Sequence, residues 1–391
     1  MSAVLAALPW LLLPVFVLLK VRRRPLLSDW PADAAPDAPL VSVIVPARNE
    51  GDNIGRCLEG LRASTYPRLE ITVVDDESTD ETAEVVRGHA ARDSRVRLVQ
   101  PGTPPPGWFG KPWACMRGAE VAGGEVLVFT DADVRHHPET VGRAVAALED
   151  TGTGLLSALP HQDLPTFWER LIMPVVTLLI LFRFPDPERV NRSPRTQDKL
   201  AVGGFLVCRR DAYQAVGGHG AVRHEVAEDL RLGQCVHAAG YPVHLLVADR
   251  FVSVRMYRSL GEIVEGWSKN LSIASRQTVP RWLRPATPWL IALWLVAVWV
   301  APLAGIAIGM VTGSVGVVRW GALAFGVSAL FFAAVYARLR LPLTYALLHP
   351  FGGLAAAAIV VRSALRGSRV TWKGRTYRTA AWAVPETPKP E

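Results

Sequence analysis

The sequence lacks the glycine-rich loops that bind phosphate in two large classes of nucleotide-binding protein. Neither Gly-x-Gly-x-x-Gly nor Gly-x-x-x-x-Gly-Lys-Ser/Thr occurs along its 391 residues, which argues against Rossmann and P-loop sites. The four cysteines, at positions 57, 115, 208 and 235, show no paired spacing. The sequence therefore indicates neither a disulfide framework nor a zinc site, and this suits a reducing compartment.

The basic residues also lack the arrangement typical of nucleic-acid binding. The formal net charge is +8, but no stretch interleaves basic and aromatic residues as a nucleic-acid module does. Much of the positive charge instead flanks apolar segments, at residues 20–24 and 362–378. This pattern indicates an anionic membrane surface as a partner, and no nucleic acid.

The first apolar segment, residues 2–19, contains no charged residue and is about long enough to span a bilayer. A secretory signal peptide carries positive charge before its apolar run, whereas here the basic residues follow it. We therefore predict an uncleaved transmembrane anchor over residues 1–24, with its N-terminus outside. Residues 25–39 are rich in proline, alanine and aspartate and are predicted to form a linker.

Residues 40–280 show the pattern of an α/β domain. Short apolar runs at 41–47, 71–74, 96–99 and 126–129 alternate with segments of helical periodicity. Such alternation predicts a doubly wound, mainly parallel sheet. We place this domain in the cytosol, because a basic segment precedes it.

Two of the predicted strands end in pairs of acids, Asp75/Asp76 and Asp131/Asp133. In open α/β sheets, ligands bind outside the carboxyl ends of the strands. One pair can hold Mg²⁺ or Mn²⁺ together with substrate phosphates, and the other can accept hydrogen bonds from a base or ribose. A polar loop that caps the next helix is the alternative for a bare Asp-x-Asp.

Several motifs in order resemble the family 2 glycosyltransferases of the GT-A fold. They are Val-Pro-Ala-Arg-Asn-Glu at 45–50, Val-Val-Asp-Asp-Glu-Ser-Thr-Asp at 73–80, Phe-Thr-Asp-Ala-Asp at 129–133, Gly-Gly at 203–204 and Ala-Glu-Asp at 227–229. Further stretches at 106–114, 255–258, 266–270 and 372–377 resemble the bacterial membrane-bound branch associated with carotenoid and hopanoid lipids.

The resemblance implies a role for each matching residue. Asp131 and Asp133 would bind the metal and diphosphate, and Asp229 would be the catalytic base of an inverting reaction. The nucleotide sugar would be bound by residues from several segments: Pro46, Ala47, Glu50, Asp75, Asp76, Lys111, Gly203, Gly204, Glu228 and Trp267.

Structural alternatives stay open for five of these positions. Lys111 can be a solvated lysine, and the Gly203-Gly204 pair can mark a strand bulge. Glu228 and Asp229 can be an acidic first turn that is favoured by the helix dipole. Five histidines, at positions 136, 137, 161, 219 and 224, are predicted to be loop or surface residues and not ligands.

The sequence departs from the polysaccharide synthases of this family, which carry Gln-x-x-Arg-Trp after the Glu-Asp motif. Here residues 263–267 read Ile-Val-Glu-Gly-Trp and keep only the tryptophan. The expected function is therefore transfer of a single sugar from a nucleotide sugar, expected to be UDP-linked, to a lipid acceptor such as a carotenoid or other isoprenoid or hopanoid lipid. A processive polysaccharide synthase and a non-catalytic membrane scaffold remain the alternatives.

The remaining apolar stretches predict further membrane contacts. Residues 171–182 are too short to span and suit either an interfacial helix or a core helix. Residues 281–361 are predicted to hold the C-terminal membrane segments, the last of which is interrupted at 349–353 and can span, split or re-enter. Residues 362–391 would form a basic cytosolic tail, in a multi-pass protein of the inner membrane.

Overall fold

The computed structural model describes residues 6–12, 24–184, 186–277, 279–366, 369–372 and 375–378. The chain divides into two compact units. The sheet unit comprises Arg24–Asp163, Pro187–Met256 and the described strands after residue 368. The helical unit comprises the described N-terminal residues, Leu164–Asp186 and Tyr257–Gly367. The predicted domain over residues 40–280 is therefore interrupted, since residues 164–186 and 257–280 belong to the helical unit.

The sheet unit is built on a seven-stranded sheet of order β3-β2-β1-β4-β8-β6-β9. Its strands are β1 Val41–Ala47, β2 Leu69–Asp75, β3 Val96–Val99, β4 Val126–Thr130, β6 Leu155–Leu159, β8 Phe205–Arg209 and β9 Val243–Val247. All neighbours pair in parallel except β8, which runs antiparallel to both β4 and β6. The predicted fold class, a mainly parallel doubly wound sheet, is confirmed.

The central strands are mostly apolar and buried because both faces of the sheet are covered. In β4 every residue is buried, as expected for a central strand in an α/β sheet. The helices of this unit are α1 Gly51–Arg62, α2 Thr82–Ala90, α3 Gly110–Val121, α4 Thr140–Asp150, α6 Pro187–Arg192, α7 Arg210–Ala215 and α8 Glu228–Ala238. Helix α1 shows the packing rule: Ile54, Cys57, Leu58 and Leu61 recur at helical spacing and are all buried.

Two smaller sheets complete this unit. Strands β5 Val134–His136, β7 His161–Gln162 and β10 Val252–Val254 form a three-stranded sheet of order β5-β10-β7. Near the C-terminus, β11 Arg369–Trp372 pairs antiparallel with β12 Arg375–Arg378. The predicted basic tail thus contributes a strand pair to the sheet unit.

The predicted linker is not a free linker, because part of it lies on the sheet unit. Leu27 is fully buried in the core of this unit, and Leu26 forms a parallel bridge with Val247. The Trp30 indole N–H donates a hydrogen bond to Asp150 Oδ2 at 2.9 Å.

The helical unit consists of apolar helices packed around aromatic side chains. Its elements are α5 Phe167–Arg183, α9 Leu260–Gln277, α10 Thr287–Leu295, the π-helical turn Val296–Val300, α11 Ala301–Thr312, α12 Val315–Arg338, the 3-10 helix Leu343–Leu348 and α13 His349–Arg366. Three stretches, Thr287–Thr312, Val315–Arg338 and Leu343–Arg366, are long and apolar enough to cross a membrane. By this criterion the chain is a membrane protein.

The third of these stretches is not broken in its middle, which corrects the expectation from the sequence. Helix α13 runs without interruption from His349, so the change of geometry falls at the junction with the 3-10 helix. The glycines serve packing instead. A Cβ at Gly352 would lie 2.5 Å from the Leu171 carbonyl oxygen, and one at Gly353 would lie 2.8 Å from Trp299 Cβ. These close approaches need a residue without a side chain.

Helix α5 contains the predicted short apolar segment, residues 171–182. It begins with a capping box in which the Thr166 N–H donates to Glu169 Oε2 at 2.8 Å, and the Glu169 N–H donates to Thr166 Oγ1. Leu171–Val176 and Leu178 are buried in the core of the helical unit. This packing is that of the core-helix alternative, while an in-plane position at a bilayer surface stays a prediction.

Of the predicted N-terminal anchor, only residues 6–12 lie within the described part of the chain. Trp10 belongs to the helical unit, and its indole N–H donates to the Val298 carbonyl oxygen at 2.7 Å. The same ring packs edge-on against Trp320 with centroids 5.5 Å apart. The rest of the anchor lies outside the described residues.

Candidate active site

The acidic pairs lie at the carboxyl edge of the central sheet because β1, β2 and β4 are adjacent and parallel. In the register of β1 and β2, Pro46 is opposite Val74 and Ala47 is opposite Asp75. The Asp76 N–H then donates to the Ala47 carbonyl oxygen at 2.8 Å. Strand β4 ends at Thr130, so Asp131 follows on the other side of β1.

Asn49 links the loop after β1 to the loop after β2 by hydrogen bonds. Asn49 and Glu77 both adopt a left-handed backbone conformation, with φ of 51° and 55°. The Asn49 N–H donates to Ser78 Oγ at 2.9 Å, and Asn49 Oδ1 accepts from the Thr79 N–H at 2.8 Å. The short polar side chain of asparagine tolerates this conformation while it bonds the neighbouring loop.

The two acids of the Asp75/Asp76 pair have different partners. Both carboxylate oxygens of Asp75 accept hydrogen bonds, one from the Ser78 N–H at 3.0 Å and the other from Gln100 Nε2 at 2.8 Å. Asp76 is held by Arg375, whose Nη1 lies 2.8 and 2.6 Å from its two oxygens. Burial raises the pKa of Asp76, and the guanidinium of Arg375 opposes that rise. Arg375 lies in the stretch 372–377, which resembles the carotenoid and hopanoid branch of the family, but nothing in the sequence indicated a role for it in this site.

Asp131, Asp133 and Glu50 concentrate negative charge at the end of β4. Burial, and then the charges of Asp131 and Glu50, raise the pKa of Asp133 to about 7. A surplus of carboxylate oxygens is the environment that suits a hard divalent cation. Within the described residues, no group of three or more His, Cys, Asp or Glu side chains is placed to hold a metal alone. Asp131 and Asp133 therefore fit a cation that takes further ligands from a substrate.

Lys111 links the acids of β4 to those of helix α8. Its Nζ lies 2.8 Å from Asp131 Oδ1 and 2.8 Å from Glu228 Oε1. Burial alone would lower the pKa of Lys111, but the carboxylates of Asp131 and Glu228 raise it well above its ordinary value. The lysine is thus a fixed positive charge inside the site, not the solvated surface lysine of the alternative interpretation.

Asp229 is oriented by backbone N–H groups at the start of α8. Its Oδ2 accepts from the Gly203 N–H at 2.5 Å, and its Oδ1 accepts from the Leu230 N–H at 2.7 Å. Burial, and then the neighbouring charge of Glu228, raise the pKa of Asp229 to about 6. A carboxylate with a pKa near the working pH is suited to accept a proton.

Gly203 packs closely against both Lys111 and Asp229. A Cβ at this position would lie 3.0 Å from Lys111 Nζ and 3.1 Å from Asp229 Oδ2. The residue precedes β8, which begins at Phe205, and the neighbouring Gly204 carbonyl oxygen accepts from Thr130 Oγ1 at 2.8 Å. These two close approaches account for a glycine at position 203.

Other predicted residues lie elsewhere. Trp267 is buried in the helical unit, where its indole N–H donates to Met173 Sδ at 3.2 Å, and its role toward the nucleotide sugar stays a prediction. His136 and His219 are buried, so their assignment to loops or the surface was wrong. His136 lies in β5, and its Nε2 shares a hydrogen bond with Thr130 Oγ1, while the His219 N–H donates to the Tyr213 hydroxyl.

Comparisons with known proteins agree with this geometry. Residues 42–217 match the family model described as glycosyl transferase family 2. The 4,4'-diaponeurosporenoate glycosyltransferase of Staphylococcus aureus strain USA300 is 29% identical over 86% of this chain and 88% of its own length. The enzyme of the same name from Staphylococcus haemolyticus is 29% identical over 70% of this chain and 72% of its own length.

One solved structure shares the architecture. A mannosyltransferase of Pyrobaculum calidifontis, in complex with GDP-Man and Mn²⁺, superposes with a TM-score of 0.53 over 93% of this chain and 96% of its own. At 20% identity this likeness bears on the fold alone. The sheet unit therefore has the architecture of the GT-A fold. The family match shows that residues 42–217, a little under half of the chain, form a glycosyl transferase family 2 domain.

Proposed function

We propose that the protein transfers a single sugar from a nucleotide sugar, UDP-linked, to a lipid acceptor, with inversion at the anomeric carbon. The observation that carries this proposal is the cluster of charged side chains at the carboxyl edge of the sheet: Lys111, Asp131, Asp133, Glu228 and Asp229. It provides a base, a fixed cation and a pair of metal-binding acids within one site. The acid pair Asp75/Asp76 supports the nucleotide end of the donor.

In the proposed reaction Asp229 takes the proton of the acceptor hydroxyl as the new bond forms. The acceptor oxygen attacks the anomeric carbon, the bond from that carbon to the diphosphate breaks, and the diphosphate leaves with the electron pair. A single displacement from the opposite face gives inversion. The N–H groups of Gly203 and Leu230 donate hydrogen bonds to Asp229 and keep its carboxylate oriented to take this proton.

Asp131 and Asp133 would hold a divalent cation, Mg²⁺ or Mn²⁺. When bound, such a cation supplies Lewis-acid stabilisation to the departing diphosphate. Lys111 adds a positive point charge beside the diphosphate. An ammonium can pair with a phosphate in this way without bidentate geometry. Glu228 holds Lys111 in this position from the other side.

The lipid acceptor is proposed from the relatives and from the apolar helices. The staphylococcal relatives are named for glycosylation of diaponeurosporenoate, and the described part of this chain has three helices long and apolar enough to cross a bilayer. A carotenoid or another isoprenoid or hopanoid lipid fits both facts. We place the protein in the inner membrane as a multi-pass protein, with the sheet unit on the cytoplasmic side where nucleotide sugars are made.

The test is transfer by purified full-length protein in detergent or liposomes. A panel of nucleotide sugars is supplied with and without Mn²⁺, and lipid extracts of expressing and deleted cells are compared by mass spectrometry. We expect a lipid product heavier by one sugar, in the presence of metal only. Products of many sugars would favour a processive synthase. No transfer and no donor hydrolysis with any nucleotide sugar would favour a scaffold and refute the proposal.

A further inference from the structure

A single arginine near the C-terminus reaches the nucleotide end of the site. Arg375 begins strand β12 and lies 299 positions from Asp76 in the chain, yet both belong to the sheet unit. Its Nη1 contacts both oxygens of Asp76 at 2.8 and 2.6 Å, and its Nη2 contacts the Glu77 carboxylate. The guanidinium thus bridges two consecutive acids of the loop after β2.

The surroundings of Asp76 make this contact important. The residue is 2% exposed, and an isolated buried carboxylate prefers to be neutral. The charged groups that face it are Arg375, Arg48 and the carboxylate of Glu77. Arg48 donates from Nη1 to the carbonyl oxygens of Asp76 and Glu77. The described contacts place the guanidinium of Arg375 on the Asp76 carboxylate itself.

Close packing also fixes the direction of the carboxylate. Helix α3 begins at Gly110, where a Cβ would lie 2.1 Å from Asp76 Oδ2 and 3.2 Å from Arg375 Nη1. The helix can approach the pair because this position has no side chain. Asp76 is therefore enclosed by Gly110 on one side and by Arg375 on another, which leaves little freedom to turn.

We propose that Arg375 is a positioning residue of the donor site, which keeps the Asp76 carboxylate charged and aligned to accept hydrogen bonds from the nucleoside of the donor. This inference rests on the proposed function, because it assumes a nucleotide donor at Asp76. It assigns the strand pair β11–β12 to the donor site rather than to the membrane surface. Arg375 acts through Asp76, so the two residues should not have independent effects on nucleotide binding.

The first experiment measures binding of UDP to full-length protein in detergent by calorimetry, with Mn²⁺ present. Arg375→Ala should weaken UDP binding about tenfold at pH 7, in line with the loss of a charge-assisted hydrogen bond. The donor KM should rise by a similar factor, while kcat changes little. Arg378→Gln removes a positive charge from the same strand pair and serves as the matched control, with UDP affinity unchanged.

The pH dependence of UDP binding separates positioning from a structural role. Without Arg375, burial is opposed by less positive charge, since only Arg48 of the two facing guanidinium groups is left, and the pKa of Asp76 rises, so the carboxylate becomes protonated as the pH falls. UDP binding by Arg375→Ala should therefore weaken further at pH 6 and recover toward pH 8.5, whereas the unsubstituted protein changes less across this range. Arg375→Lys keeps the positive charge and should restore the flatter profile in part.

A double-mutant cycle with Asp76→Asn gives the decisive result. If Arg375 acts through Asp76, Arg375→Ala should have little further effect on UDP binding in the Asp76→Asn background. Equal loss in both backgrounds, or tighter UDP binding by Arg375→Ala, would overturn the positioning role. Failure of the unsubstituted protein to bind any nucleoside diphosphate would instead refute the proposed donor, and the inference with it. Thermal melting of each variant checks that it is folded.

Discussion

We expect Lys111 to compete with a metal ion for Asp131, so that its removal changes metal binding and turnover in opposite directions. Its ammonium already occupies Asp131 Oδ1 at 2.8 Å. A cation that binds Asp131 and Asp133 has to replace this contact. The substitution Lys111→Gln removes the positive charge, so we expect tighter metal binding together with slower transfer.

The size of the expected change in Mn²⁺ affinity follows from how exposed the Lys111–Asp131 ion pair is. The side chains of Lys111 and Asp131 are 24% and 33% exposed, so solvent screens the contact in part. A hydrogen bond to a charged group contributes about 1.5–3 kcal/mol, and screening favours the lower end, about 1.5 kcal/mol. This corresponds to roughly a tenfold lower Kd for Mn²⁺. Loss of the like-charge repulsion between ammonium and Mn²⁺ acts in the same direction.

The assay is titration of the full-length protein with Mn²⁺ in the absence of nucleotide, with free Mn²⁺ followed by electron paramagnetic resonance. Turnover is measured separately at saturating donor and metal, where loss of the ammonium beside the diphosphate should lower kcat. Arg117→Gln is the matched control, because Arg117 lies on the same helix and pairs with Glu120. An unchanged or weaker Mn²⁺ affinity in Lys111→Gln would refute competition between the lysine and the metal.

The other predictions concern the metal acids, the base and the acceptor. Asp133→Ala should lower transfer about a thousandfold or more while circular dichroism and melting show an intact fold, and near-normal turnover would exclude the metal role. Asp229→Asn should abolish turnover with donor binding largely kept, and in the unsubstituted protein kcat/KM should fall as the pH drops through about 6, because Asp229 must be ionised to accept a proton. Loss in Glu228→Gln without loss in Asp229→Asn would mean that the neighbouring acid is the base. Trp168→Asp, at a position 42% exposed at the start of α5, should reduce transfer to long-chain lipids more than donor hydrolysis, and an unchanged ratio of the two would argue against α5 beside the acceptor.

The choice of position on α5 shows why the structure was needed. Leu178 looks equivalent to its neighbours in the apolar run, but it is only 6% exposed and lies in the core of the helical unit. A charge at Leu178 would be buried and would destabilise the fold, so it could not report on the acceptor. Hydrophobicity along the chain identifies such a helix, but it does not identify which side of the helix is covered.

The sheet and its acidic edge were predictable because their signals are local. Strands β1 and β3 were predicted with the bounds that the structure has, since continuous apolar runs end at polar turns. The acids that follow β2 and β4 must meet at one edge once the strands are parallel and adjacent. The connection of Lys111 to both Asp131 and Glu228 was not predictable, because it depends on the direction of a side chain across three elements.

The other features that the sequence did not predict depend on contacts between distant parts of the chain. Arg375 stands in a stretch whose resemblance to the family was recognised, but nothing local indicates that it reaches Asp76. The segment before β1 reads as a proline-rich linker, whereas the burial of Leu27, the bridge from Leu26 and the hydrogen bond from Trp30 show that it lies on the sheet unit. His219 likewise looks polar in the sequence, whereas a hydrogen bond to Tyr213 satisfies its backbone in the interior.

The surroundings of Asp229 also bear on the chemical class of the acceptor. A hydroxyl must lose a proton to attack, whereas a carboxylate attacks as an anion and needs no base. Four acids, Asp131, Asp133, Glu228 and Asp229, face one ammonium in this site, so an anionic acceptor would meet like charge. We therefore expect a lipid alcohol to be the better substrate, although the staphylococcal relatives are named for an acid.

This expectation is tested with an alcohol and a carboxylic acid of the same chain length as acceptors. Asp229→Asn should abolish transfer to the alcohol. Retained or faster transfer to the acid by that variant, with a poor rate on the alcohol in the unsubstituted protein, would show that Asp229 does not act as a base here.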